Sequence, residues 1–164
     1  MKPLIAALFF IAPTLAFAAD SPVALGSNNG AFGDWTAATY GSGAAKICYA
    51  FTKAQSSKPD IAKRGQVLLT VTERAGARDE VTLGAGYAYL PKAQVTLTIG
   101  TTPINFYTQG DTAFTTSSAQ AISAFKGGAS AEAVSTGPHG HPVTDDFSLK
   151  GFSDAYSAIV AACP

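Results

Sequence analysis

Apolar and polar residues alternate along much of this chain, and that period of two predicts β-strands with one buried face. The clearest run is 95–99, where valine, leucine and isoleucine are separated by threonines. A second run at 67–72 is followed by a turn at 75–77 and another arm, which together indicate a hairpin. Shorter runs predict further strands at 35–40, 46–52, 104–108, 113–115, 131–136 and 147–150.

A helical spacing replaces this alternation in two places. After Ser117 or Ser118, either of which is a suitable N-cap, an apolar face is formed by Ala121, Ile122 and Phe125. With eight or nine short strands and no long helix for parallel crossovers, the pattern predicts a mainly β fold. We expect a two-sheet antiparallel β-sandwich with two short helices.

The second helix is predicted to begin at Ser153, as its N-cap, and to run to about Ala162. Its apolar face leads to Cys163, and the chain has one other cysteine, Cys48 in the strand 46–52. Two cysteines in an exported chain indicate one disulfide, because that compartment is oxidising and two thiolates alone make a poor zinc site. The sequence therefore predicts a Cys48–Cys163 bond that tethers the C-terminal helix.

The faces of the strand 46–52 differ in size. Cys48 and Ala50 lie on one side, and the large apolar side chains lie on the other: Ile47, Tyr49 and Phe51. The side with small residues lets the C-terminal helix approach closely, which is where Cys48 has to lie.

The first residues carry an export pattern. Lys2, an apolar run and the small-residue triplet at 16–18 are typical of a signal peptide, so we expect cleavage after Ala18. The predicted organisation is a signal peptide at 1–18, a flexible leader at 19–30 and a single β-sandwich domain at 31–164. No later run is apolar enough to span a bilayer, so no integral membrane segment is expected after cleavage.

Charge patterning gives little indication of a partner. The formal net charge of the chain is zero, and removal of Lys2 with the signal peptide leaves about −1. Such a charge does not favour nucleic acid or anionic lipid, so no nucleic-acid partner is expected.

Candidate chemistry is confined to a few polar residues. His139 and His141 flank a glycine in a turn, where they are weak candidates for a metal site. Neighbouring carboxylates such as Asp145 and Asp146 point to opposite faces of a strand and do not act across one substrate. No nucleophile elbow and no phosphate-binding loop occurs in the sequence. We therefore expect no catalytic residues and no cofactor.

The best candidates for a contact surface are aromatic. Tyr87 and Tyr89 lie on a glycine-flanked segment before Pro91, which predicts an edge where both rings are exposed. Tyrosine suits binding because it buries a large area at small entropic cost. The alternative is that both rings simply pack on the sheet.

Four segments in order resemble a known family. They are Phe-Gly-Asp-Trp at 32–35, Lys-Ile-Cys-Tyr-Ala at 46–50, Gly-Asp-Thr-Ala-Phe at 110–114 and Phe-Ser-Leu-Lys-Gly-Phe-Ser-Asp-Ala at 147–155. Together they resemble the invasion-associated locus B family of exported proteobacterial proteins. The resemblance implies a small β-rich protein of the periplasm or outer envelope of a Gram-negative bacterium, or a secreted one. It brings no enzymatic activity, and Phe114 stands where a tryptophan is expected.

Two functional hypotheses of different class follow. The first is a non-catalytic envelope protein that acts by surface contacts with an envelope or host protein, with host-cell interaction implied by the resemblance. The second is a periplasmic metal-binding protein or hydrolase that uses the His139/His141 turn. An apolar concave pocket containing either histidine favours the second hypothesis.

Overall fold

The computed structural model describes residues 21–164, so the predicted signal peptide at 1–18 lies outside the described residues. In this part of the chain, helix α1 spans Ser118–Gly127 and helix α2 spans Phe152–Ala162. The strands β1 to β12 are, in chain order, Val23–Ala24, Ala31–Phe32, Trp35–Tyr40, Ile47–Lys53, Ser56–Lys58, Leu68–Arg74, Ala77–Gly84, Gln94–Ile99, Thr102–Gln109, Thr112–Phe114, Ser130–Thr136 and Pro142–Ser148.

All strand pairs described are antiparallel, as expected for a chain without long crossover helices. Hydrogen bonds join the strands into one sheet in the order β1-β3-β4-β6-β7-β10-β9-β8-β11-β12-β5, with β2 paired to β3. The mainly β fold with two short helices is confirmed. The predicted division into two separate sheets is not, because the ladder is continuous.

The sheet curls back on itself. Only Ala54 and Gln55 separate β4 from β5, yet β4 pairs with β3 and β6 whereas β5 pairs with β12. The amide of Ala54 donates to the carbonyl of Val67, and the amide of Gln55 donates to that of Asp146. The short segment after β4 therefore leads into β5, which lies at the far end of the sheet. The two ends of the sheet are thus brought close together, and its concave face encloses the core.

The core is closed by an aromatic cluster beneath the two helices. Trp35 on β3 lies 4.9 Å from Phe152 of α2 between ring centroids, and Phe152 lies 5.2 Å from Phe125 of α1. The indole Nε1 of Trp35 donates to the carbonyl of Ser148 at 3.0 Å. A buried indole that finds its hydrogen-bond partner fixes the helices against the sheet without a desolvation cost. Trp35 is itself almost fully buried.

The helix faces were predicted correctly, but one helix start was not. Ala121, Ile122 and Phe125 of α1 are all buried. Helix α2 begins at Phe152 with Gly151 as its N-cap, rather than with Ser153. Gly151 has φ of 90°, and a Cβ there would lie 1.9 Å from the carbonyl oxygen of Phe32, so only glycine fits this crossing.

Part of the predicted flexible leader is ordered. Val23 and Ala24 pair with β3, and the amide of Leu25 donates to the carbonyl of Ala37. For these residues the expectation of a leader without structure is wrong. A two-residue strand has no periodicity to recognise, because it forms only when a neighbouring strand supplies its hydrogen-bond partners.

Candidate functional site

The predicted disulfide is present and tethers α2. Cys48 and Cys163 are bonded across 115 residues, with their Cα atoms 6.0 Å apart. Cys48 lies on the inner face of β4 beside Ala50, both fully buried, as the small-residue side of this strand predicted. The bond joins the C-terminal end of α2 to β4.

Two cations stabilise the same helix end. Lys46 Nζ donates to the carbonyl of Ala162 at 2.8 Å, and the guanidinium of Arg78 donates to the carbonyl of Cys163. The last carbonyls of a helix have no partner within the helix and carry partial negative charge. These contacts satisfy them, so the helix end is held by polar contacts as well as by the disulfide.

A buried acidic network lies next to this helix. Glu73 on β6 is fully buried; its Oε1 accepts from the amide of Asp79, and its Oε2 lies 2.7 Å from Arg78 Nε. Tyr156 of α2 donates to Asp79 Oδ1 at 2.6 Å. Burial raises the pKa of the Glu73 carboxyl above its ordinary value, and burial also raises the pKa of Tyr156. These groups join α2 to the β6–β7 hairpin and have a structural role.

The histidine turn forms one wall of a small pocket. His139 and His141 line it together with Asp60 on the opposite segment, and its volume is about 230 Å³. The remaining lining is largely apolar and is contributed by Pro59, Ile61, Ala62, Gly137, Pro138 and Val143. An apolar pocket with histidines is the feature that was expected to favour the metal or hydrolase hypothesis.

The residues that line this pocket give no further support to the metal-binding or hydrolase hypothesis. Within residues 21–164, no group of three or more His, Cys, Asp or Glu side chains is placed to hold a metal ion. The pocket lining also includes no serine, threonine or cysteine that a histidine could activate. The pocket therefore offers two imidazoles and a carboxylate on apolar walls, without a serine, threonine or cysteine nucleophile.

Tyr87 and Tyr89 differ in exposure. Tyr89 is only 8% exposed, so the expectation of an exposed ring is wrong for this residue; burial also raises its pKa. Its ring packs edge-on against that of Tyr87, with centroids 5.6 Å apart. Tyr87 is partly buried against the core, and its hydroxyl is 2.9 Å from Ser135 Oγ. Tyr87 alone keeps a surface that a partner could contact.

The Arg64 side chain packs against the ring of Tyr87. Its guanidinium lies 4.8 Å from the centre of the Tyr87 ring and makes two parallel hydrogen bonds, of 2.7 and 2.8 Å, to the carboxylate of Asp145. Both side chains are buried, at 7% and 2% exposure. Arg64 Nε donates to the carbonyl of Ala85, and Ser57 Oγ donates to Asp145. The charge pair is thus fully engaged, which such burial requires.

Tyr87 forms one side of an open depression with a volume of about 700 Å³. Four glycines line the depression: Gly65, Gly84, Gly86 and Gly110. Gln66, Leu68, Ala88 and Asp111 complete the lining, so Asp111 is its one charged residue. We call this feature the Tyr87 depression. Its walls are low because glycine has no side chain, and the Tyr87 ring is the largest group that a partner meets there.

Two of these glycines allow a close crossing of chain segments. The amide of Gly65 donates to the carbonyl of Gly86 at 2.9 Å. A Cβ on Gly86, whose φ is 72°, would lie 2.4 Å from the carbonyl oxygen of Gly65. The crossing brings the segment that carries Arg64 against the segment that carries Tyr87, so the glycines position the site as well as line it.

The contact between Arg64 and Asp145 has no local sequence signal. Arg64 lies in the polar stretch 53–65, where its basic neighbours predict a solvated loop, and Asp145 is 81 residues away. No local period links the two residues. The usable signal was the run of glycines at 84 and 86 around an aromatic segment, which indicates close backbone approach.

The fold and this site define a class: a small, mainly β protein whose C-terminal helix is tethered by a disulfide and whose candidate site is an aromatic surface depression. The sequence model of the family described as Invasion associated locus B (IalB) protein matches residues 35–160, and the chain belongs to this family. No curated protein and no solved structure matches the chain. The resemblance inferred from the four sequence segments is thereby confirmed.

Proposed function

We propose that this protein is an exported, non-catalytic protein of the bacterial cell envelope that acts by surface contacts. Membership of the invasion-associated locus B family supports an exported protein. The Cys48–Cys163 disulfide supports it independently, because disulfides persist in oxidising compartments such as the periplasm. Neither helix within residues 21–164 is long and apolar enough to cross a membrane.

The preorganisation of Tyr87 is the observation that carries the proposal. Its ring is held by the Arg64 guanidinium, by the edge of Tyr89 and by a hydrogen bond to Ser135, yet it borders an open depression. A contact residue that is already fixed loses little conformational entropy when a partner binds. Fixed aromatic side chains of this kind are frequent hot spots of interfaces.

The lining indicates what the partner presents. The depression combines apolar and glycine surface with one carboxylate, Asp111, at its rim. It therefore suits a protein segment that offers an apolar side chain next to a basic one. The partner class we propose is an envelope or host protein, in line with the name of the family.

The test is recovery of partners from envelope extract by the mature chain. Tyr87→Ala should abolish recovery, whereas Tyr87→Phe, which keeps the ring and loses only the hydroxyl, should retain most of it. Val134→Ala, an exposed position on β11, serves as the control for handling and folding. Equal recovery by the Tyr87→Ala and wild-type chains would contradict the proposal.

The same experiment distinguishes the proposed function from the metal-binding or hydrolase alternative. A chain with both His139→Ala and His141→Ala removes the two imidazoles of the apolar pocket and leaves the Tyr87 depression intact. We expect its partner recovery to equal that of the wild type. Loss of function in this variant alone, together with stoichiometric zinc bound by the parent, would favour the metal-binding hypothesis instead.

A further inference from the structure

A buried carboxyl faces the disulfide from the neighbouring strand. Glu73 on β6 pairs with Cys48 on β4 in the register of the sheet, and both side chains are fully buried on its inner face. Side chains directly opposite each other on an antiparallel pair have Cβ atoms about 5 Å apart. The Glu73 carboxyl is therefore a direct neighbour of the disulfide.

The β6–β7 hairpin is irregular at Glu73. Between the pairs that residues 72 and 74 form with β7, Glu73 alone faces two residues, Arg78 and Asp79. Asp79 has φ of 55°, which is uncommon for a residue other than glycine. Bulges in which two residues oppose one are frequent next to active sites, where they redirect a side chain.

One oxygen of the Glu73 carboxyl has no hydrogen bond. Oε1 accepts from the amide of Asp79, but Oε2 makes no hydrogen bond although it lies 2.7 Å from Arg78 Nε. Within residues 21–164 only one other buried side-chain oxygen, the Tyr89 hydroxyl, is in the same situation. A buried oxygen without a hydrogen bond is unfavourable, so a purely structural role does not explain a carboxyl here. Proton exchange with the neighbouring sulfur does explain it.

We propose that Cys48–Cys163 is an exchangeable disulfide and that Glu73 is the proton donor for its opening. The co-reactant is a dithiol, the class of reductant that opens protein disulfides through a mixed disulfide. Cys163 follows the last residue of α2 and is 8% exposed, whereas Cys48 is fully enclosed. The dithiol therefore attacks Cys163, and Cys48 is the leaving group.

The reaction has two steps. In the first, a thiolate of the reductant, whose proton has gone to water, bonds to the Cys163 sulfur, and the bond to Cys48 breaks with its electron pair on Cys48. Glu73 gives its proton to this thiolate, which would otherwise be a buried charge, and then regains a proton from water. In the second, the other thiol of the reductant displaces Cys163 from the mixed disulfide and its proton goes to Cys163. The chain thus gains two electrons and two protons, and the dithiol becomes a disulfide.

The groups around Glu73 determine when it holds a proton. Arg78 and Asp79 face it from β7, the Tyr156 hydroxyl faces it from α2, and Lys46 precedes β4. Burial is the largest influence and raises the pKa of Glu73; the Asp79 carboxyl raises it further, and Arg78 lowers it. The proton is therefore kept to a higher pH than on an ordinary carboxyl and is lost as the pH rises through the folded pKa.

Polar contacts keep α2 attached when the disulfide is open. Lys46 and Arg78 donate to the last carbonyls of the helix, and Tyr156 donates to Asp79, so both thiols stay in place for reoxidation. The chain is the oxidant in this reaction rather than its catalyst. The inference goes beyond the proposed function and does not depend on it, because none of these residues lines the Tyr87 depression.

The rate of reduction by dithiothreitol, measured by quenched alkylation and mass spectrometry, tests the proton donor. After division by the thiolate fraction of the reductant, the wild-type rate constant should fall as the pH rises through the folded pKa of Glu73. Glu73→Gln should lower the rate constant at least about 10-fold on the acid side and remove this pH dependence, since a positioned general acid contributes that much or more. Glu80→Gln removes a carboxyl of the same hairpin that pairs with Arg74, and it should leave the rate and its pH dependence unchanged.

Two measurements on the wild type need no variant. If reduction required unfolding, its rate constant would rise with urea with the slope of the unfolding equilibrium; we expect no such rise below the transition. Trp35 emission of the reduced chain should show α2 still packed, because the indole lies 4.9 Å from the Phe152 ring. With glutathione, a monothiol, peptide mapping should find the mixed disulfide on Cys163.

Each measurement can overturn the proposal. A rate that follows unfolding in urea, or a reduced chain that has lost α2 packing, would show that the disulfide is only a structural bond. An adduct on Cys48 would contradict the assigned point of attack. Reduction of a folded Glu73→Gln chain at the wild-type rate and with the wild-type pH dependence would remove Glu73 from the reaction.

Discussion

Cys48 on β4 and Glu73 on β6 are directly opposite each other in the register of the sheet, and both are fully buried. The disulfide of the chain therefore lies next to a buried carboxyl. Around this pair, the end of α2 is held by one covalent bond, by Lys46 and Arg78 at its carbonyls, and by Tyr156 through Asp79. The contribution of the disulfide to stability and the contribution of these polar contacts can therefore be measured separately by substitution.

Cys163→Ser should destabilise the chain by as much as about 4 to 5 kcal/mol, the loop-entropy contribution of a bond that closes 115 residues. Urea titration measures the change. Because Trp35 lies 4.9 Å from Phe152, its emission also reports whether α2 stays packed. Ser157→Ala, on the exposed side of the same helix, is the control and should cost less than about 0.5 kcal/mol. An unchanged unfolding midpoint for Cys163→Ser would contradict the prediction.

Glu73→Gln should flatten the pH dependence of stability. Burial raises the pKa of Glu73 in the folded chain, so this carboxyl binds its proton more tightly when folded than when unfolded. Its contribution to the free energy of unfolding is therefore fully present below the unfolded pKa, near the ordinary value of 4.5, and is lost as the pH rises through the folded pKa. Glutamine keeps the carbonyl that accepts from Asp79 and has no such titration.

The measurement is the free energy of unfolding of both chains at a series of pH values above 4.5. The wild type should lose stability relative to Glu73→Gln as the pH rises. Glu73→Ala is the contrasting variant: it removes the acceptor of the Asp79 amide and the carboxylate beside Arg78, and like glutamine it does not titrate, so it should be about 3 kcal/mol less stable than Glu73→Gln at every pH. The same pH dependence of the free energy of unfolding in the wild type and the glutamine variant would contradict this prediction.

Asp145→Asn should destabilise the chain by about 3 to 5 kcal/mol, because it leaves the buried Arg64 guanidinium without its counter-charge. Joint replacement by apolar residues, Arg64→Met with Asp145→Leu, should cost much less than the two single changes together. A double-mutant cycle from urea titrations gives the coupling energy. A coupling near zero would show that the pair does not stabilise the segment behind Tyr87.

The sequence patterns predicted those structural features that are determined by residues close together along the chain. The alternation at 46–52 placed Cys48 on the inner side, and the spacing in α1 identified its buried face. The same alternation implied that Ile47, Tyr49 and Phe51 point outward, since the disulfide requires Cys48 to face the helix.

Features that depend on distant residues were not predictable in this way. The Arg64–Asp145 pair joins residues 81 positions apart, and the two-residue strand β1 exists only because β3 offers it hydrogen bonds. The predicted N-cap of α2 was wrong by two residues, because a backbone crossing at Phe32 and Gly151 decides where the helix begins, rather than the capping preference of Ser153. Long-range contacts leave no local period in a sequence.

Gly86→Ala should damage both stability and the candidate site, and Gly100→Ala is its matched control. Both glycines have positive φ, of 72° and 58°, so an alanine at either position carries a similar backbone strain of about 1 to 2 kcal/mol. A Cβ at Gly100 meets nothing within 4 Å, whereas one at Gly86 would lie 2.4 Å from the carbonyl oxygen of Gly65. The difference between the two variants therefore measures the crossing alone.

We expect Gly86→Ala to cost at least about 1 kcal/mol more than Gly100→Ala in urea titrations, since the two segments must separate and the hydrogen bond from Gly65 to Gly86 is lost. The separation moves Tyr87 away from Arg64, so partner recovery should fall for Gly86→Ala and stay at the wild-type level for Gly100→Ala. Hydrogen exchange of the Gly65 amide, compared among the three chains, shows whether the crossing has opened. Equal stability of the two variants, with that amide still protected in both, would mean that the crossing yields without cost and that the position of Tyr87 is set by other contacts.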